Sequence, residues 1–434
     1  MASSSVLSPA ISAPDSTRPK RVPGRSTRVL HVAAGLVALH VVDDNFLQPP
    51  AGTSAADHVV SGLGTLAPIA VAVWAYPRVR AGAAAVLAIF LGLCGLPFGI
   101  EAAYYTLAVG PSGDDYSGLL SIAAGVALLG LGAFHLWRSR RNTPNHAWRY
   151  ARRLLIGFAT LVVLHQAVLP IGWAYVSTHA ARAAVPRADL GAAHEEVTLT
   201  TSDGLDLEGW YVPSTNGAAV IVFPGRLRSQ HHTRMLIEHG YGVLLFDRRG
   251  EGASEGEGNM SGWGGERDIF AALDFLQRRP DVDPDRIGGL GLSVGGELML
   301  QAAAEDDRLA AVVSEGAGTR QFSEQIQDHP LSEMWPFLPL MATKTGALAL
   351  FSHSMPPPQL VDLVPEISPR PALFIWAPDG GNIETMNPTY HRLAGPAAEI
   401  WEIDAPHIEG INTHPEEYET RVVDFLDRAL LDAE

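Results

Sequence analysis

Ser293 stands in Gly291-Leu292-Ser293-Val294-Gly295, a G-x-S-x-G pattern between an apolar run (287–292) and a helix-like run (297–304). A serine hydroxyl is a poor nucleophile in water. It becomes effective when a sharp strand-to-helix turn lifts it clear of a sheet, beside a base and under backbone donors. The flanking glycines serve that turn, because side chains there would collide across it. The helix opening at Val294 can turn the Val294 N–H toward a developing oxyanion. The five-residue pattern alone is weak, since Gly-rich chains contain it by chance. The strand before it and the helix after it give it meaning.

The base has to come from elsewhere in the chain. His407 follows the alternating strand Ala398–Asp404 on the short loop Ala405-Pro406, where a general base for a serine would sit. His391 and His414 are rivals, but one lies inside a predicted helix and the other opens one. Two acids follow the buried strand Pro371–Ala377. Asp379 comes directly after it, and Glu384 precedes Asn387-Pro388-Thr389-Tyr390. Either carboxylate can orient His407 and stabilise its imidazolium. The one left over is a solvated loop acid.

The elements that must position these groups are legible as an alternation. Glu196–Ser202 and Leu205–Tyr211 form a hairpin about Asp203-Gly204. Ala218–Phe223 is a strand ending in Pro224-Gly225, followed by the Arg226 N–H. Tyr241–Asp247 is a strand running into Arg248-Arg249-Gly250-Glu251-Gly252-Ala253-Ser254-Glu255-Gly256. Gly264–Arg279 and Val294–Ala304 are helical. Strands alternating with helices predict a doubly wound, mostly parallel α/β sheet. The insertion 319–367 is rich in Met, Phe, Leu and Pro. It reads as a cap over a pocket, or equally as helices covering the core. An apolar cap favours an acyl or other hydrophobic substrate.

Residues from about 195 to 434 resemble the α/β-hydrolase superfamily, in particular its dienelactone-hydrolase-like, serine-aminopeptidase-like and acyl-CoA-thioesterase C-terminal-like members. The matching motifs are Asp247-x-Arg249-Gly250-x-Gly252-x-Ser254-x-Gly256, Gly291-x-Ser293-x-Gly295-Gly296 and the late His407. The chain departs from the pattern at Phe223-Pro224-Gly225, where His-Gly is usual, and at Pro406-His407, where Gly-His is usual. The resemblance implies Ser293 as nucleophile, His407 as base and an oxyanion hole made by the Val294 and Arg226 N–H groups. It favours Glu384 over Asp379 as the acid, because Glu384-x-x-Asn387-Pro388-x-Tyr390 is similar to relatives with a membrane-embedded N-terminus. Asp247 and Arg249 are then structural, contributing an ion pair and tight turns below the site. No cofactor is implied.

The first half of the 434-residue chain is a different object. Mean hydropathy is slightly positive at +0.09, and the excess lies before residue 180. Five apolar stretches, Val29–Leu47, Val59–Tyr76, Gly82–Val109, Gly118–Trp137 and Leu154–Val176, approach the roughly 20 residues needed to span a bilayer. They predict an all-α five-helix transmembrane bundle over 29–177. It is preceded by a disordered cytoplasmic tail (1–28) and followed by a linker (178–195), then the hydrolase domain (196–434). Arginines before the first stretch, at Arg78 and Arg80, and from Arg138 to Arg153 alternate with acids at Asp57, Asp114 and Asp115. That places the N-terminus in the cytoplasm and, after five crossings, the hydrolase outside. Asp43, Asp44 and Glu101 lie within apolar stretches. With His40 they could form a proton or ligand site, though Asp43 and Asp44 read more simply as headgroup-level residues.

The net charge of −16 is concentrated in the second half. An acidic domain repels anionic polymers, which argues against nucleic acid as a partner. The single cysteine, Cys94, excludes an intrachain disulfide. His231-His232 has no third ligand nearby in sequence, so no metal is expected. The expected function is therefore that of a membrane-anchored serine hydrolase acting on a small-molecule ester or acyl substrate. A serine peptidase, a catalytically silent sensor domain, and catalysis by Asp43, Asp44 and Glu101 in the membrane are the alternatives.

Overall fold

The computed structural model describes residues 24–432 apart from 50–54, 57, 109, 111, 112, 114, 139–145, 180–183, 326–330 and 379–383. Asp379 and the tail up to residue 23 thus lie outside the described residues. The chain divides into two compact units, Met1–Asp44 with Gly62–Pro144, and Asn45–Ser61 with Asn145–Glu434.

The first unit is helical. It contains α1 (Gly24–Val42), most of α2 (Val59–Ala75), α3 (Ala81–Ala108) and α4 (Asp115–Arg138). Gly24–Arg28, expected in the tail, already belong to α1. Small residues let α3 and α4 approach closely, as in membrane helix pairs. A Cβ on Gly92 would stand 2.9 Å from the Gly125 carbonyl oxygen, and one on Gly99 would fall onto Ile122. Several polar groups inside this unit pair with one another. His40 Nδ1 is 3.1 Å from Ser117 Oγ, which donates to Asp43 Oδ2 at 2.7 Å. Asp43 is therefore hydrogen-bonded within the unit rather than simply solvated.

Among the described residues, four helical segments are long and apolar enough to cross a membrane: Gly24–Leu47, Ala81–Tyr104, Asp115–Arg138 and Leu154–Thr178. The second of the five expected stretches is not among these four. There α2 stops after 17 residues and passes into a 3-10 turn, Tyr76–Arg78. Pro77 opens that turn and removes a backbone donor from the ladder.

Besides Asn45–Ser61, the second unit contains the last apolar segment, α5 (His146–Val163), a π-turn and α6 (Leu169–Thr178). An eight-stranded sheet follows: β1 (Glu195–Thr200), β2 (Asp206–Val212), β3 (Ala219–Phe223), β4 (Gly242–Phe246), β5 (Ile287–Leu292), β6 (Ala311–Glu315), β7 (Ala372–Trp376) and β8 (Ala398–Glu402). The strand order is β1-β2-β4-β3-β5-β6-β7-β8. β2 pairs antiparallel with β1 and β4, and all later neighbours are parallel. The Asp203-Gly204 turn closes the first hairpin, with Gly204 at φ +85°.

The two-residue period of a strand builds a core on each face. On β3, Ala219, Ile221 and Phe223 face one cluster, while Val220 and Val222 face the other. The first face is covered by α9 (Glu266–Leu276) and α10 (Val294–Glu305), the second by α8 (Gln230–Glu238) and α17 (Pro415–Leu426). Between α8 and β3 lies the short α7 (Gly225–Arg228). The insertion forms α11 (Phe322–Gln325), α12 (Leu331–Met334), α13 (Leu338–Phe351) and α14 (Leu360–Leu363). α15 (Asn387–Ala394) and α16 (Gly410–Thr413) flank β8.

The contact of α3 with α4 makes Gly99→Leu a sharp test. The added side chain has no room against Ile122, and overpacking of this kind costs about 1–3 kcal/mol. A lower unfolding temperature of the full chain in detergent is expected, and an unchanged one would contradict the close packing.

Candidate active site

The chain turns from β5 into α10 at Ser293, whose φ of 52° and ψ of −123° lie outside the regions favoured by L-residues. Surrounding structure holds that conformation. The Ser293 N–H donates to the Glu315 carbonyl at 2.8 Å, and the Glu297 N–H donates to the Ser293 carbonyl at 3.1 Å. A Cβ on Gly295 would stand 2.7 Å from the Phe223 carbonyl oxygen, and one on Gly291 would fall onto the Gly295 backbone. The glycines thus give β3, β5 and α10 the close approach that the turn requires.

His407 sits between β8 and α16. Its Nε2 is 2.9 Å from Ser293 Oγ, and its Nδ1 is 2.5 Å from Glu384 Oε1. Glu384 is 1% exposed, so both carboxylate oxygens need partners. Oε1 faces His407, and Oε2 accepts the Ala377 N–H at 2.7 Å. The residues after it hold it there. Asn387 Nδ2 donates to the Glu384 and Ala317 carbonyls, and the Tyr390 hydroxyl donates to the Gly318 carbonyl. Glu315, also buried, accepts the Gly410 N–H at 3.0 Å and the Tyr418 hydroxyl at 2.7 Å. It therefore fixes the loop that carries His407 as well as the backbone of Ser293.

The rival histidines are engaged elsewhere. His391 Nε2 lies 3.2 Å from the Ala398 carbonyl oxygen and His414 Nε2 lies 2.9 Å from that of Asp404. Val294 is the first residue of α10, where an N–H has no intrahelical acceptor.

Arg226 requires a correction. Its N–H donates to Asp247 Oδ1 at 2.8 Å, while its Nε and Nη2 donate to Asp247 Oδ2 at 2.9 and 2.7 Å. The buried carboxylate thus takes up the N–H expected at an oxyanion hole. The ion pair expected around Asp247 and Arg249 also divides in two. Asp247 pairs with Arg226, and Arg249 pairs with Asp268 and Asp203.

One buried group near the serine was not legible in sequence. Glu297, on the first turn of α10, accepts the Gly318 N–H at 3.2 Å and lies 3.7 Å from Arg320 Nη1. Burial pushes its carboxyl up to about 7, against the opposing pull of Arg320 and the Gly318 N–H. Arg320 in turn donates to the Ser261 and Gly262 carbonyls. The acid lies four positions after the serine, but only the fold reveals how deeply it is buried.

A family model for X-Pro dipeptidyl-peptidase (S15 family) matches residues 183–364, which include Ser293 but stop before Glu384 and His407. The mixed eight-stranded sheet with helices on both faces is the architecture of the α/β-hydrolase superfamily, to which the chain is similar. A Penicillium polyketide transferase, grgF, is 35% identical over 127 residues, covering 27% of this chain and 43% of its own. The chain spans less than half the length of the first such relatives. A longer match is YfhR of Escherichia coli, 27% identical over 54% of this chain and 81% of its own. Among solved structures, an esterase of Pyrococcus furiosus aligns at 24% identity with a TM-score of 0.45, over 56% of this chain and 93% of its own.

Two outcomes follow from this geometry. Glu384→Gln keeps the volume but deprives His407 of its carboxylate, so turnover should fall by a factor on the order of 10^3–10^4 with the fold retained. A loss under tenfold would remove Glu384 from the site. Glu297 governs stability instead. The folded chain holds its proton to about pH 7 while the unfolded chain releases it near 4.5, so stability should fall as pH rises through that interval and level off above it. Denaturation of Glu297→Gln between pH 5 and 8 should show a flatter profile than wild type.

Proposed function

We propose that this chain is a membrane-anchored serine hydrolase that cleaves an ester or related acyl bond. The observation that carries the reading is the continuous line from Ser293 Oγ through His407 to the buried Glu384 carboxylate, with spacings of 2.9 and 2.5 Å. Ser293 Oγ attacks the acyl carbonyl as His407 Nε2 takes its proton. The Val294 N–H stabilises the oxyanion. His407, held by Glu384, returns the proton to the leaving group. A water then repeats the sequence on the acyl-enzyme and frees the acid. No step needs a cofactor.

The preference for an apolar substrate has its own support. Ala174 of α6, Trp263, and Ala347, Leu348 and Phe351 of α13 form one buried cluster. A Cβ on Gly262, the neighbour of Trp263, would stand 2.7 Å from Val294. The last apolar helix and the cap helix therefore pack toward the turn that carries the serine. A 14-residue apolar helix such as α13 is short for a span and suits an interfacial position.

Sidedness turns on whether α2 crosses. Its 17 residues continue as 3 more through the 3-10 turn, giving roughly 30 Å, the thickness of a bilayer core. The arginine alternation agrees with a crossing there, so the reading keeps five crossings and an extracytoplasmic hydrolase. A serine peptidase is the second reading, favoured by the S15 family match.

Labelling intact cells with a membrane-impermeant fluorophosphonate tests site and side together. Wild type should label and Ser293→Ala should not. Labelling only after lysis would invert the topology, and no labelling in either state would leave a silent domain. Turnover of p-nitrophenyl acyl esters with none of X-Pro p-nitroanilides would support the esterase. The reverse would support the peptidase.

A further inference from the structure

Three side chains distant in sequence converge away from Ser293. Glu257 Oε1, on the loop after β4, lies 2.9 Å from His58 Nδ1 and 3.9 Å from His179 Nε2. The ligand atoms of all three lie within 4.8 Å of one another. His58 is 2% exposed, and the other two are largely buried.

The tautomer of His179 is the informative point. Its Nδ1 is 3.0 Å from the Tyr175 carbonyl oxygen, which can only accept, and 3.0 Å from Thr178 Oγ1, whose own proton goes to the Ala174 carbonyl at 2.9 Å; that arrangement assigns the His179 proton to Nδ1. The ring also stacks on Tyr175, with centroids 4.1 Å apart. Nε2 then carries a lone pair. It is buried, has no hydrogen-bond partner and faces a carboxylate oxygen. Two electron-rich atoms directed at each other away from water repel unless a cation lies between them. A histidine whose second nitrogen donates to a backbone carbonyl is also the usual arrangement of a metal ligand.

We infer that His58, His179 and Glu257 form a site for a divalent transition metal of the zinc type. Two imidazoles and one carboxylate are a zinc donor set that leaves a fourth position for water. With metal–ligand bonds of about 2.0–2.1 Å, tetrahedral ligand atoms stand about 3.4 Å apart. The His58–Glu257 and His179–Glu257 separations of 2.9 and 3.9 Å bracket that value. The absence of short-range metal-ligand spacings in the sequence is explained, because each ligand comes from a different segment. The ion would clamp the Glu257 loop to the end of α6, where the Met260 N–H already donates to the Ser177 carbonyl at 2.8 Å. That loop continues into Gly262 and Trp263 against the serine turn, so the role is one of positioning, and the inference does not depend on the hydrolytic reading.

The test uses the untagged full chain in detergent, stripped with a chelator and titrated with Zn2+ against a chromophoric competitor. Wild type should bind about one equivalent, and its unfolding temperature should rise with Zn2+. His179→Ala and Glu257→Gln should each lose more than the 10–100-fold in affinity that outer-shell changes cost. His239→Ala, on the surface beside Glu419, should bind as wild type. Co2+ in the wild-type protein should give the intense visible bands of a tetrahedral site, a readout that needs no variant. Failure of wild type to bind stoichiometric Zn2+, unchanged affinity in both ligand variants, or a weak octahedral Co2+ spectrum would each overturn the assignment.

Discussion

The site depends on one backbone conformation, the positive φ at Ser293. A β-to-α turn this sharp is unfavourable for an L-residue with a side chain. It persists because β3, β5, β6 and α10 meet around it at distances that only Gly291 and Gly295 permit. The Glu315 backbone and side chain then join the turn to the loop bearing His407. Serine and base are therefore held in register by the same buried strand end. Small shifts in the sheet edge would be felt at both.

Buried charge is the second constraint. Glu384, Glu315, Asp247 and Glu297 are all acids withdrawn from water around the C-terminal ends of the strands. Each has a defined partner: His407, the Gly410 N–H with Tyr418, Arg226, and Arg320 with the Gly318 N–H respectively. A half-satisfied network of this kind would be costly. The Arg226–Asp247 pair illustrates how such satisfaction redirects function. The carboxylate holds the loop after β3 by taking both the guanidinium and the backbone N–H, and so removes that N–H from the oxyanion side.

Much of this was legible in the sequence because it is local. The strand–turn–helix around Ser293, the hairpin at Asp203-Gly204 and the strand before His407 each follow from periodicity and turn chemistry. The choice between Glu384 and Asp379 was not local. Spacing left both open, and only the Asn387-Pro388-x-Tyr390 sequence favoured Glu384. The fold gives that preference a physical meaning, since Asn387 and Tyr390 anchor the loop to the Ala317 and Gly318 carbonyls. What sequence could not reveal are pairings between distant segments: Arg226 with Asp247, Glu297 with Arg320, and His179 with Glu257.

The last apolar helix and α13 of the insertion share one buried cluster with Trp263. The central claim, that Ser293 is the acylated nucleophile, is tested most directly by acid-quenching the purified chain during turnover of a p-nitrophenyl acyl ester and weighing its peptides. The account predicts an acyl adduct on the peptide bearing Ser293, and loss of both adduct and turnover in Ser293→Ala. Turnover in Ser293→Ala equal to that of wild type would contradict it.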